Sequence, residues 1–235
     1  MQIKGKVVLV TGANRGLGKQ FAKSLVEAGA AKVYAAARDP GSVKIEGVEA
    51  IPLDVTNHDD IAAAAERYTD VQVLINNAGA TTRGLLTDPA STQGVRELFE
   101  VNVIGPLALT QAFAPILKRN GGGAVVNVLS VLSWVALPSG GAYSVSKSAA
   151  WALTNVQREE LREQGTLVVA VHPGYIDTDM TAGVTAPKTT PEHVVGEVLA
   201  AVERDQEEVL VDDTGRAVKE SLSTAKPLYL TGIPR

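Results

Sequence analysis

The sequence predicts a doubly wound α/β fold, a parallel sheet covered by helices on both faces, and three observations predict it. Short, nearly continuous apolar runs rich in valine, isoleucine and alanine recur along the chain, separated by longer amphipathic stretches. The two patterns alternate, which selects parallel pairing with right-handed crossovers. No Pro/Gly/Ser-rich linker, internal repeat or low-complexity tract divides the 235 residues, so one domain over 1–235 is expected.

The β-rich run 7–10 opens the sheet, and the amphipathic stretch 17–28 carries the chain back across it. Runs 33–37 and 49–53 follow as strands, then 59–68 as a helix. Strand 71–75 leads into the long helical stretch 94–118, strand 124–129 into helix 143–162, and strand 167–171 into helix 192–203; residues 209–211 close the sheet. The segment 175–191, rich in Thr, Pro and Gly, is long for a strand-to-helix connection and reads as a substrate lid. Ligands of such sheets sit beyond the carboxyl ends of the strands, so the residues there are the ones to examine.

Composition narrows the chemistry. A formal net charge of −4 leaves no basic patch to neutralise a phosphate backbone, so nucleic acid is not an expected partner and the ligand should be small. The absence of cysteine excludes disulfides, thiolate nucleophiles and Cys-ligated zinc. The apolar run between Lys6 and Thr11 is four residues long, too short for a signal-peptide core or a membrane span, and a cytoplasmic enzyme without a membrane partner is expected. His58, His172 and His193 lack ligand spacing, and Asp177 with Asp179, Asp212 with Asp213, and Asp59 with Asp60 read as solvated carboxylates or helix N-terminal charges, so no metal is expected.

Directly after the first strand stands Thr11-Gly12-Ala13-Asn14-Arg15-Gly16-Leu17-Gly18. Gly12 permits a tight turn, Gly16 lets the backbone approach a pyrophosphate, and Gly18 lets helix and strand pack closely. The free N–H groups at the helix start then face the phosphates. The spacing is G-x-x-x-G-x-G, not the general G-x-G-x-x-G.

Tyr143 and Lys147 form an i, i+4 pair on one helical face, where an ammonium near a phenol favours the phenolate. Tyr143 is then able to exchange a proton with a substrate oxygen. Ser130, at the end of strand 124–129, can donate to the same oxygen; no helix obviously starts at Val131-Leu132, which argues against a capping role. Asn102 lies in a helical stretch with Pro106 four residues on, and proline has no N–H, so the Asn102 carbonyl loses its i+4 donor at an expected kink. A water on that carbonyl would link bulk solvent to Lys147 and Tyr143.

With Asp54-Val55, Asn76-Asn77-Ala78-Gly79 and Pro173-Gly174-Tyr175-Ile176-Asp177-Thr178, these residues resemble the roughly 250-residue branch of the short-chain dehydrogenase/reductase family over nearly the whole chain. The resemblance implies a Rossmann-type NAD(P)-binding domain and an oxidoreductase with Asn102, Ser130, Tyr143 and Lys147 as a catalytic tetrad. In that tetrad Tyr143 is the acid in reduction, Ser130 polarises the carbonyl, Lys147 lowers the tyrosine pKa and binds the nicotinamide ribose, and Asn102 holds the relay water. It further implies cofactor contacts from Gly12, Asn14, Arg15, Gly16, Leu17 and Gly18, from Asp54 and Val55 at the adenine, from Asn77, Ala78 and Gly79 beside the adenosine ribose, and from Pro173, Gly174, Ile176 and Thr178 at the nicotinamide carboxamide.

At the end of strand 33–37 an NAD enzyme would place a carboxylate for the ribose hydroxyls, but here stand Ala37 and then Arg38. Arg38 and Arg15 suit a 2′-phosphate, so NADP(H) is expected over NAD(H), with Asp39 turned away by strand alternation. Ser130, Leu132, Trp134, Tyr143 and Tyr175 are the expected substrate contacts; the mostly apolar run 131–137 and a lid whose one cation is Lys188 favour a hydrophobic ketone or aldehyde. A homodimer or homotetramer pairing through 94–118 and 143–162 is expected, with Leu109, Phe113, Trp151 and Leu153 among the apolar residues there. The competing reading is a dinucleotide sensor or scaffold that keeps the fold without turnover.

Overall fold

The computed structural model describes residues 1–232; the last three positions of the expected domain, 233–235, lie outside the described residues. Seven parallel strands form one sheet in the order β3-β2-β1-β4-β5-β6-β7. They are β1 (Val7–Thr11), β2 (Lys32–Ala37), β3 (Glu49–Pro52), β4 (Val73–Asn76), β5 (Ala124–Val128), β6 (Leu167–Val171) and the two-residue β7 (Glu208–Val209). Strand order reverses between β1 and β4, and the crevice above that pair is where a ligand of such a sheet lies.

Alternation along each strand divides the core. Val8 and Val10 point to the face packed by α1 (Gly16–Glu27) and α6 (Pro191–Glu203), through Phe21, Leu25, Val194 and Val198. Leu9, Leu74 and Val125 point to the other face and meet α2 (His58–Arg67) and α4 (Gly105–Arg119), through Ile61, Leu109, Phe113 and Leu117. Burial on both faces explains why the strands read as continuous apolar runs.

Two sequence expectations are corrected and one left open is resolved. The stretch 94–118 is not one helix: α3 (Ser91–Phe99) passes through a π turn, Glu100–Ile104, before α4. Pro106 gives Asn102 no i+4 donor, and the helix widens there to an i+5 bond from Gly105 N–H to the Glu100 carbonyl. Of the apolar helix residues that sequence left open between partner and sheet, Leu109 and Phe113 are spent on the sheet, whereas α5 (Gly141–Arg162) leaves Val145 and Val156 exposed. By length and composition alone, 91–119 would pass for a membrane span, but its apolar side is this buried one. Finally, 209–211 is mostly loop, and α7 (Asp213–Ser221) and α8 (Leu228–Thr231), which the sequence reading did not contain, follow it.

Candidate active site

The carboxyl ends of β4 and β5 gather Asn102, Ser130, Tyr143 and Lys147. Lys147 lies on the second turn of α5, and its Nζ donates to the carbonyl of Val128, the last residue of β5, at 2.8 Å. Tyr143 is one turn earlier on the same face, its ring centre 5.6 Å from that Nζ. The Ser130 side chain stands beside the phenol. Asn102, buried in the π turn, clamps Ala80 by accepting from its N–H at 2.9 Å and donating to its carbonyl at 3.0 Å. Its amide also donates to Ser146 Oγ at 3.0 Å, and Ser146 donates to the Tyr143 carbonyl at 2.8 Å. The segment after β4 is thereby tied to the helix that carries the tyrosine.

Behind Lys147 is a polar cavity of about 10 Å³ reaching Asn102, Pro106 and Asn76. That is room for one water, and Asn76 Oδ1, buried in its wall, has no protein partner.

The electrostatics depart from the sequence expectation. Burial pushes the Tyr143 phenol up to about 12, against an opposing effect of the Ser130 hydrogen bond, which stabilises the phenolate. Burial also lowers Lys147 to about 8, because its ammonium has a carbonyl for a partner and no carboxylate. Within the protein itself the phenol is therefore held protonated, because desolvation outweighs the effect of Ser130.

Ser130 also departs from expectation. It caps a 3₁₀ turn, Val131–Ser133, its Oγ accepting from Leu132 N–H at 3.1 Å. Capping uses a lone pair and leaves the hydroxyl proton to donate. A single turn after a strand has too little periodicity to be seen in sequence. Trp134, expected to meet substrate, is buried: it stacks on His172 at 3.8 Å between ring centres and packs with Val135 and Val218. Leu132 is half-buried and Tyr175 exposed.

The glycine loop fits a dinucleotide. Gly12 sits at φ +65°, and a Cβ there would press on the Ala78 backbone at 3.0 Å. A Cβ on Gly18 would run into the Gly12 carbonyl, so helix and loop depend on its absence. Arg15 precedes α1 without a side-chain cap, which leaves the first-turn N–H groups available to an anion. Gly16 faces Thr178 across the crevice, 3.5 Å from a Cβ position to the methyl. Thr11 Oγ1 accepts from the N–H groups of Asn77 and Ala78, both at 3.0 Å, and Asn77 Nδ2 returns a bond to the Thr11 carbonyl at 2.8 Å. Asn77, Ala78 and Gly79 thus brace the loop at the switch point.

Just beyond β3, Asp54 accepts from Thr56 N–H and Oγ1 at 2.9 and 2.8 Å, and Val55 is buried beside it. Arg15 and Arg38 are exposed and make no ion pair among the described residues. Asp39 is taken by its own turn, accepting from Gly41 N–H at 2.9 Å.

The segment 175–191, expected from sequence as a substrate lid, is closed at its base. Thr189 N–H donates to the Tyr175 carbonyl at 2.8 Å, Asp177 N–H to the Thr189 carbonyl at 2.9 Å, and Lys188 pairs with Asp177 at 3.3 Å. Ile176 and Thr178 lie just inside that closure. Two residues escaped the sequence reading. Arg83 lines a cavity of about 310 Å³ beside Ala142 and reaches that segment at Gly183; no motif marks it. Asp212, read as a helix-terminal charge, does cap α7 but also bonds Gly174 N–H; recognising α7 would have flagged it. Among the described residues no group of His, Asp and Glu could hold a metal.

The short chain dehydrogenase family model matches residues 6–189. Ketoacyl reductase HetN from Nostoc is 32% identical over 94% of this chain and 83% of its own length. Dehydrogenase/reductase SDR family member 7B from Bos taurus is 30% identical over 96% and 79%. Among solved structures, a short chain dehydrogenase from Burkholderia cenocepacia, in complex with NADP, superposes with a TM-score of 0.92 at 40% identity and 96% coverage of both chains. A short chain dehydrogenase/reductase from Burkholderia phymatum, in complex with NAD, gives 0.82 at 25% identity, covering 94% and 95%. With this sheet order, glycine loop and Tyr-Lys pair, the chain belongs to the short-chain dehydrogenase/reductase family of oxidoreductases.

Proposed function

We propose that the protein is an NADP(H)-dependent carbonyl reductase that interconverts a ketone or aldehyde and its alcohol. The observation that carries this is the convergence of Ser130, Tyr143 and Lys147 at the end of β5, with Asn102 tying the segment after β4 to α5. When bound, the cofactor supplies or accepts the hydride. Tyr143, held protonated, donates its proton to the substrate oxygen; Ser130 donates a hydrogen bond to the same oxygen and orients it. Lys147, once protonated, offers its charge to the phenol and to the nicotinamide ribose, and the cavity behind it suits a water that resupplies the proton. Asp54 and Val55, Asn77 to Gly79, and the turn Pro173, Gly174, Ile176 and Thr178 are assigned to the adenine, the adenosine ribose and the carboxamide.

Arg15 and Arg38 support NADP(H). A charge-assisted contact to the 2′-phosphate contributes about 1.5–3 kcal/mol, so each should favour NADPH by roughly ten- to a hundredfold. The name of the Nostoc relative and the NADP complex of the Burkholderia cenocepacia relative support the same reading.

The experiment is kcat/KM with NADPH and NADH over a panel of activated ketones, for the wild type and for Ala37→Asp/Arg38→Leu. NADPH oxidation with a preference lost in the double variant is expected. Tight NADPH binding without turnover of any carbonyl compound would replace the reading with a dinucleotide sensor. A wild-type preference for NADH would overturn the role of the arginines.

A further inference from the structure

Resting on that reading, we propose that Asp212 is a positioning residue for the nicotinamide half of the cofactor. β6 ends at Val171, and the turn that follows, His172-Pro173-Gly174, leads directly into the segment assigned to the carboxamide. Pro173 has no N–H, so Gly174 carries the first free backbone donor beyond His172. That donor goes to Asp212 Oδ2 at 2.7 Å. The other oxygen, Oδ1, accepts from Gly215 N–H at 2.7 Å and caps α7. One carboxylate thus joins a helix start to the turn and shares its charge between two N–H groups, each a charge-assisted bond.

The rest of the turn is fixed from the catalytic side. Val131 N–H donates to the Pro173 carbonyl at 2.9 Å, and His172 Nδ1 lies 3.3 Å from the Ser130 carbonyl. The turn is therefore gripped between the Ser130 segment and α7, and Gly174 is the point where α7 takes hold. A Cβ at Gly174 would stand 3.0 Å from Asp212 Oδ2, so glycine is what lets the carboxylate come this close. The distance between Ser130 and the carboxamide segment is set on one side by the sheet and on the other by Asp212. Beyond the turn, Thr189 holds the segment by donating to the Tyr175 carbonyl and accepting from Asp177 N–H.

The prediction separates two duties. Serine is as good a helix cap as aspartate, but one hydroxyl oxygen does not span both N–H groups. Asp212→Ser should keep α7 capped while releasing Gly174. The probes are NADPH and adenosine 2′,5′-bisphosphate, which carries the adenosine half and no nicotinamide. In Asp212→Ser and Asp212→Ala, NADPH affinity should fall about tenfold, because a turn released from Asp212 has to be ordered when the nicotinamide binds, with bisphosphate affinity changing by less than about twofold. The deuterium isotope effect on kcat with 4-deuterated NADPH should rise, because a misplaced ring makes hydride transfer slower. Equal weakening of both probes, or an Asp212→Ser protein that binds NADPH like the wild type, would reduce Asp212 to a helix cap and overturn the proposal. If the wild type binds the bisphosphate and not NADPH, the cofactor reading itself falls, and this inference with it.

Discussion

At the residue scale the tyrosine and lysine were legible, and their protonation was not. The spacing of Tyr143 and Lys147 places them on one face in any helix, but a pKa depends on what covers the pair, and the sequence does not show that Lys147 Nζ is spent on the Val128 carbonyl. The result has a sign that can be tested. Tyr143, at about 12, is protonated throughout the working range, the state its proposed role as acid requires. Lys147 has a folded value near 8, below its ordinary 10.5, so its charge is present below about pH 8 and lost above it. If that charge steadies the developing phenolate, kcat/KM for reduction should be level from about pH 6 to 7.5 and fall as pH rises through about 8. A profile that rises through that range would place the controlling group elsewhere. Arg15 and Arg38 are placed near one another by position in a doubly wound sheet, not by burial, because the glycine loop pairs with the end of β2; their part in cofactor choice is proposed.

At the element scale, long periodic segments were read well and interruptions were not. Strand 167–171 was placed to the residue, and 143–162 lacked only the first two residues of α5, because long apolar or amphipathic patterns outvote local accidents. The π turn 100–104 hid inside an unbroken apolar pattern. Only the Asn102–Pro106 spacing marked it, as a kink instead of a widened turn. The 3₁₀ turn after Ser130 is three residues long, and α7 is short and mostly polar. Both are held by contacts distant in sequence: Val131 by the Pro173 carbonyl, and Asp212 by Gly174. Such contacts leave no periodic trace. Trp134 was misplaced for a related reason, since its partners His172 and Val218 come from β6's end and α7.

At the scale of the whole molecule, the two cores hold the sheet while the C-terminal segment closes the back of the site. His172 lies where they meet. It is fully buried, stacked on Trp134, with its Nε2 lacking a hydrogen-bond partner, and burial lowers its pKa to about 3. The fold therefore binds the neutral ring, whereas the unfolded chain binds a proton below about 6.5. The stability from this group is complete above about pH 6.5 and lost as pH falls toward 3. Between pH 7 and 5 the loss is about 2 kcal/mol, measurable by denaturant unfolding at the two pH values. His172→Phe keeps an aromatic ring against Trp134 and should lack that part of the pH dependence; the same slope in both proteins would show that His172 is not its source. All of this packing delivers one phenol to one place above the sheet. The most direct test of that claim is the rate of ketone reduction by NADPH in Tyr143→Phe, measured beside NADPH affinity in the same protein. The account predicts affinity close to the wild type and a rate lower by about 10² to 10⁴. A Phe variant that keeps more than about a tenth of the wild-type kcat would contradict it.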